Sequence, residues 1–272
     1  MHQSMPCRLR AVSFTLLIAA LLLLVPSGTN RATLAQTSPV ASPAQARTPI
    51  QTVGEFYKAL RERRFREAFA LSIYKPALDG LSAEEYAELQ PEFEKLAGAV
   101  PEKIEFGGEL ISGDKATVFA RVGGENVPLE AITLMRGSDG GWIFGDPEAQ
   151  EIVRRDGKEF FLKARIETHH KEVEALLLKI VNTQAGYAAE HNGQFADMRV
   201  LLESKPALHE DVESAQTLGY QFQITLGKDR KSYQVNAEPL RYGRTGLLSY
   251  YADQTGMQKK DTGGKPYNPP KK

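Results

Sequence analysis

One uninterrupted helical pattern constrains this chain more than any other feature of its sequence. Between Lys158 and Asn192 there is no proline, and apolar residues recur at steps of three, four and seven, the spacing of one face of an α-helix. Charged residues such as Lys163 and Arg165 occupy the other faces, so we expect a helix that is half in water. Asn192-Gly193 favours the left-handed backbone that ends helices. The apolar positions are Phe161, Ile166, Val173, Leu176, Leu177, Ile180, Val181, Ala185 and Ala188.

Short segments in which apolar and polar residues alternate follow this helix. The alternation runs over residues 220–226, 233–237 and 248–252, with a possible fourth segment at Met257-Gln258. A period of two is typical of strands with one buried face. Because each such face needs a cover, we predict an antiparallel β-meander packed on the long helix, in a domain of residues 147–260. The residues between helix and meander are predicted to form a polar loop.

The sequence of this second half resembles a known family. "NTQAGYAAEHNGQFADMRVLL", "GYQFQITL", "YQVNAEP" and "GLLSYYADQTGMQ" look like the globular half of type IV pilins and type II secretion pseudopilins. In that family a long helix precedes a meander that closes on an aromatic-x-Asp-x-x-Gly turn, which would here be Tyr251, Asp253 and Gly256. The resemblance covers about a third of the chain and implies an interaction or assembly module; an unrelated helix-plus-meander fold is the alternative.

The resemblance does not extend to the N-terminus. Pilins begin with a processed leader and an apolar helix that continues directly into the globular helix. The apolar run at residues 13–24 has no glycine before a cleavage point and no glutamate at the fifth position after one, and it lies far upstream of the long helix. This difference argues against a filament subunit built in the usual way.

The first 35 residues have the character of a secretory signal peptide. Arg8 and Arg10 precede an apolar run over residues 11–25, and Thr33-Leu34-Ala35 offers small residues for cleavage. The run is shorter than the roughly 20 residues that span a bilayer, so we predict cleavage, with an uncleaved anchor as the alternative. The only cysteine, Cys7, lies in this segment, so the mature chain is predicted to form no disulfide. The expected location is periplasmic or extracellular.

Charge and composition set further expectations. The chain has 34 basic and 34 acidic residues; removal of residues 1–35 takes three basic and no acidic ones, which leaves 31 against 34, a net charge of −3. This balance predicts no nucleic-acid partner, and membrane contact is expected only through an uncleaved N-terminus. Residues 36–48 are predicted to be a disordered linker and residues 261–272 a disordered tail.

Residues 49–146 are predicted to form a separate α+β domain, with helices packed on a four-stranded antiparallel sheet. Helices are expected from Pro49, over residues 65–71, and from a capping box at Ser82. The opening "TVGEFYKALRERRFREAFALS" resembles the cone-shaped fold of nuclear-transport-factor-like and ketosteroid-isomerase-like proteins. The resemblance implies a pocket lined by Tyr57 and Trp142. The alternative is that both rings are core residues.

Few residues suggest chemistry. Glu167, His170 and Glu174 share a helical face and could hold a divalent metal, but a solvated charged face is the favoured interpretation, and we predict no metal or cofactor. Asp253 has no acidic neighbour at calcium-ligand spacing. His191 and His209 are expected to be exposed, and no catalytic residue is predicted.

These observations predict an exported cell-envelope protein that is not an enzyme. A pilin-like interaction or assembly module would be joined to a cone-fold domain, with envelope proteins, including secretion or pilus machinery, as partners. The alternative is a small-ligand-binding protein, or an isomerase-type enzyme, that uses the cone-domain pocket. A purely structural role is a third possibility.

Overall fold

The computed structural model describes residues 47–123, 127–217 and 219–270. The predicted signal peptide (1–35), and the predicted linker up to residue 46, lie outside these residues. The chain forms two compact units that divide between Phe161 and Leu162. Each contains helices and its own four-stranded antiparallel sheet, so the prediction of a two-domain α+β fold is confirmed.

Helices with well-defined starts open the first unit. Thr48 and Ser82 cap two of them. The side chain of Thr48 accepts the backbone N–H of Gln51, and the Gln51 side chain accepts the backbone N–H of Thr48. Ser82 and Glu85 form the same reciprocal pair. These reciprocal bonds satisfy amides that a helix leaves unpaired, and the capping box expected at Ser82 is present. The helices are α1 (Pro49–Arg61), α2 (Phe65–Ala70), α3 (Lys75–Asp79) and α4 (Ala83–Ala99).

The sheet of the first unit is a meander with one face on the helices. Its strands are β1 (Ile104–Ser112), β2 (Lys115–Val122), β3 (Glu130–Arg136) and β4 (Trp142–Phe144), paired in that order. Alternate residues of the inner strands point into the core, as the period of two requires. Those fully buried residues are Ala116, Val118, Ala120, Ile132 and Leu134.

The first unit extends further along the chain than the predicted boundary at residue 146. Helix α5 (Pro147–Asp156), capped by Asp146, and a short 3₁₀ turn (Gly157–Glu159) follow β4. The rings of Phe160 and Phe161 then lie among aromatic side chains of α2, of α4 and of Tyr74, the residue that directly precedes α3, with centroid separations of 5.3–6.3 Å. Burial of these two rings places the end of the first core at Phe161.

The second unit contains the long helix and the second meander. The expected helix over residues 158–192 is observed as α6 (Phe160–Glu190), and its Val173, Leu177 and Ile180 are fully buried. Tyr220, Val235 and Tyr250 from the strands complete this core. The strands are β5 (Tyr220–Leu226), β6 (Tyr233–Pro239), β7 (Leu248–Asp253) and β8 (Gly256–Asp261), paired in that order.

Three expectations about the second unit are wrong. The predicted polar loop contains two helices, α7 (Met198–Ser204) and α8 (Pro206–Thr217), because Asp197 caps the first and both contribute leucines to the core. The predicted tail is ordered through residue 270: Asn236 Nδ2 donates to the carbonyl of Tyr267, at 2.9 Å. Arg165, expected in water, is 6% exposed, since a long aliphatic stem can be buried against apolar neighbours.

None of the helices within the described residues combines the length and the hydropathy needed to cross a bilayer.

Candidate functional site

A polar cluster lies where α6 meets the loop between β6 and β7, residues 240–247, which we call the 240–247 loop. His169 is buried, with 6% of its surface exposed, and its Nδ1 lies 2.9 Å from the carbonyl oxygen of Thr245. A carbonyl oxygen only accepts, so Nδ1 of His169 carries the proton. This bond fixes the middle of the loop to the helix.

The neighbouring His170 holds the end of the same loop as a hydrogen-bond acceptor, whereas His169 is a donor. Its Nε2 accepts two backbone N–H groups, from Leu247 at 3.0 Å and from Leu248 at 3.3 Å. A nitrogen that accepts two N–H donors carries no proton, so His170 is neutral with its proton on Nδ1. The side chain is half-buried, and burial lowers its pKa from the usual value of 6.5.

Charged groups around His170 act on its pKa in both directions. Glu174 and Glu167 on the helix raise it, and Lys259 on β8 lowers it. Glu174 is itself held by Lys259 Nζ at 2.8 Å and accepts the hydroxyl of buried Tyr250 at 3.3 Å. Burial, followed by the charges of Tyr220 and Glu174, raises the pKa of Tyr250, so this phenol stays protonated and remains a donor.

The three residues considered as metal ligands therefore have protein partners, and they do not converge. Glu167 pairs with Lys171 at 2.8 Å, one helical turn away, while His170 and Glu174 point at the 240–247 loop and β8. Among the described residues no group of three or more His, Cys, Asp or Glu side chains has metal-binding geometry. The arrangement positions a loop.

Two glycines allow the 240–247 loop to close on β5. A Cβ on Gly246 would lie 2.5 Å from Cζ of Tyr220, and a Cβ on Gly219, which has φ = +82°, would lie 2.8 Å from Cβ of Thr245. The Tyr220 hydroxyl then donates to the carbonyl of Leu248 at 2.9 Å. These contacts need residues without side chains at both positions.

Tyr251, Asp253 and Gly256, the residues grouped in the sequence analysis, lie at the turn between β7 and β8. Asp253 Oδ1 accepts the Thr255 backbone N–H at 2.7 Å, and Oδ2 accepts the Tyr251 hydroxyl at 3.0 Å. Burial raises the pKa of Asp253, but the hydrogen bonds from Thr255, Tyr251 and Gly256 outweigh it, so the pKa is lowered overall. The carboxylate is thus engaged in shaping the turn.

The residues proposed to line a pocket in the first unit lie in its core. Tyr57 and Trp142 are each 5% exposed; the Tyr57 ring packs edge-on against Phe56 and Phe144. The Arg136 guanidinium lies 4.0 Å from the centre of the Trp142 ring. Burial, and then the charge of Glu130, raises the pKa of Tyr57.

The two remaining histidines of the second unit are on the surface, as expected. His191 stacks on Tyr187 with ring centroids 3.7 Å apart, and His209 lies 3.2 Å from Glu213. Sequence reasoning did not single out His169, Tyr220 or Gly246. The sequence does contain two adjacent histidines in the predicted helix. Their partners, however, are backbone atoms of Thr245, Leu247 and Leu248, at least 76 residues away in sequence.

Comparisons with protein-family models, with curated proteins and with solved structures found no match to this chain.

Proposed function

We propose that this chain is an exported cell-envelope protein whose second unit is a pilin-like interaction or assembly module. The observation that carries the proposal is the architecture of this unit, in which α6, from Leu162 onward, packs on a four-stranded antiparallel meander. The Asp253 turn between β7 and β8 adds support, since its pattern contributed to the resemblance. The proposed partners are other envelope proteins, including components of secretion or pilus machinery.

The polar residues of the second unit support a binding role over a catalytic one. His169, His170, Glu174 and Gln184 each make hydrogen bonds that hold backbone or side chains of the same unit. Groups used in this way position a loop or a turn, and a catalytic acid or base must instead reach a substrate proton.

The alternative function, binding or isomerisation of a small ligand in the first unit, has less support. It requires an acid or base that points into an apolar interior. Among the described residues of that unit, the buried polar side chains are Thr52 and Ser72, together with the Tyr57 phenol, whose raised pKa keeps it protonated. The hydroxyls of Thr52 and Ser72 donate to backbone carbonyls three or four residues earlier in the chain, those of Thr48 and Phe69.

Export is tested by removing residues 1–35. The full chain is expected to appear in the periplasmic or extracellular fraction, and the shortened chain only in the cytoplasm, because the basic and apolar segment directs secretion. Cell fractionation and immunoblotting measure this. Mass spectrometry of the exported N-terminus locates the cleavage site; equal distribution of both chains would remove the basis for an envelope role.

The interaction role is tested by crosslinking the exported, full-length protein in cells and identifying the captured proteins. We expect secretion, pilus or other envelope components, and we expect their capture to require a folded second unit. Gly186→Ala, on the exposed side of α6 where a Cβ meets open space, should retain capture. Gly246→Ala, which is expected to destabilise the second unit, should lose it under conditions in which that unit of the variant is unfolded. Identical capture by both variants, or capture of no envelope component, would contradict the proposal.

A further inference from the structure

We propose that His170 is an acid-sensitive latch that holds the 240–247 loop on α6 while the imidazole is neutral and releases it when the imidazole is protonated. The inference concerns the second unit alone and does not depend on the partners proposed above.

The geometry makes the latch depend on one lone pair. Nε2 of His170 is the shared acceptor of the Leu247 and Leu248 amides. Protonation places an N–H on Nε2, which then faces two other N–H groups, so both hydrogen bonds are lost together and a repulsion replaces them. A single proton therefore removes both contacts of His170 with this end of the loop.

The neighbouring contacts of the loop do not change in this way. His169 donates from Nδ1 to the carbonyl of Thr245, and both the neutral and the protonated ring have an N–H at that position. The Tyr220 hydroxyl donates to the Leu248 carbonyl, and burial raises the pKa of this phenol. His170 is thus the group of this cluster whose contact with the loop is broken by acid.

The surrounding charges set the direction of the effect. Glu167 and Glu174 on α6, Lys259 on β8 and the Tyr250 phenol on β7 face His170, and the loop itself carries Arg241 and Arg244. Burial and Lys259 outweigh the two carboxylates, which keeps the pKa of His170 below its unfolded value of 6.5. A histidine whose pKa is lower in the folded than in the unfolded chain stabilises the fold at pH values above the unfolded pKa. That stabilisation is lost as the pH falls from the unfolded pKa towards the folded one.

Release has a consequence for the surface of the second unit. The loop presents three exposed apolar side chains: Leu240, Tyr242 and Leu247 are 58%, 46% and 36% exposed. Near neutral pH the two helix histidines and Tyr220 hold these side chains in one arrangement. In acid, the Leu247 end of the loop becomes free to move, so the arrangement of this apolar surface depends on pH.

Amide hydrogen exchange of the exported protein, followed by NMR at about pH 7.5 and about pH 5, tests the latch. After correction for intrinsic exchange, protection of the Leu247 and Leu248 amides should fall as the pH drops below the unfolded value of 6.5, by up to about tenfold per pH unit until the folded pKa of His170 is reached. His170→Gln keeps an acceptor oxygen at that position without a titrating group, so its protection should be equal at the two pH values. His191→Gln, which removes an exposed histidine, should lose protection like the wild type.

Two results would overturn the proposal: equal protection of the wild-type amides at both pH values, or the wild-type loss of protection persisting in His170→Gln. Imidazole ¹⁵N spectra of the wild type give a separate test if the glutamine variant folds poorly. They should show the Nδ1–H tautomer at neutral pH, with protonation of Nε2 in step with exposure of the two amides. An Nε2–H tautomer at neutral pH would equally exclude the latch.

Discussion

Replacing Gly246 by alanine is expected to destabilise the second unit by about 3 kcal/mol, at the upper end of the cost of overpacking a core. The new methyl group would overlap the ring of Tyr220, which is fully buried and hydrogen-bonded to Leu248. Neither side can yield easily, because Gly246 lies in a loop held by His169 and His170, and Tyr220 lies in a strand of the sheet. The ring and the loop cannot both keep their positions.

The chain offers its own reference signal for measuring this loss. Trp142 is the only tryptophan and is buried in the first unit, so its fluorescence reports the first unit, while far-UV circular dichroism reports both. Urea titration of Gly246→Ala should move the circular dichroism transition to lower denaturant and leave the Trp142 transition in place. An unchanged circular dichroism transition would contradict the packing of Gly246 against Tyr220.

The matched control is Gly186→Ala. Gly186 is a helical residue on the exposed surface of α6, and a Cβ there has no neighbour within 4 Å. Since alanine is the better helix former by about 1 kcal/mol, this change should stabilise the second unit by up to that amount. Opposite shifts from the same chemical substitution separate a steric requirement for glycine from a general effect of added methyl groups.

Much of the fold follows from local patterns. Strict alternation located β5, whose bounds at Tyr220 and Leu226 match the expectation, and the Ser82 capping box located the start of α4. The domain boundary could not be found this way, because Phe160 and Phe161 continue the helical pattern of α6 while their rings pack with residues more than 60 positions earlier, such as Phe93 and Phe69. Periodicity identifies a buried face but not the core that buries it.

The candidate site was largely beyond sequence reasoning for a similar reason. Spacing grouped His170 with Glu167 and Glu174, since all three share one side of the helix. In the structure each has a different partner, and those of His170 are the amides of Leu247 and Leu248, which carry no side-chain signature. Contacts between a side chain and distant backbone are set by tertiary packing, so neither residue type nor spacing reveals them.

Replacing Gln184 by alanine is expected to destabilise the second unit by about 4 kcal/mol. Sequence reasoning did not identify this residue, because its partners are also backbone groups. Its side chain is fully buried; Nε2 donates to the carbonyl of Ala196 at 2.6 Å, and Oε1 accepts the N–H of Ala196 at 3.0 Å. Alanine would leave two buried backbone groups unpaired, each at a cost of about 1–3 kcal/mol, and would add a cavity. The apolar pattern of the sequence predicted that the neighbouring Ala185 faces the core, but Ala185 is exposed.

Urea titration followed by circular dichroism measures the loss, and two further variants assign it. Gln194→Ala, at an exposed position, should change the free energy of unfolding by no more than about 0.5 kcal/mol. Gln184→Glu keeps the shape but, when ionised, has no donor for the Ala196 carbonyl. Burial beside that oxygen should raise the pKa of the new carboxyl, so this variant should gain stability as the pH falls and the carboxyl regains a proton to donate. A Gln184→Glu variant as stable as the wild type at neutral pH would show that the bond to the Ala196 carbonyl does not hold the end of α6 to the following turn.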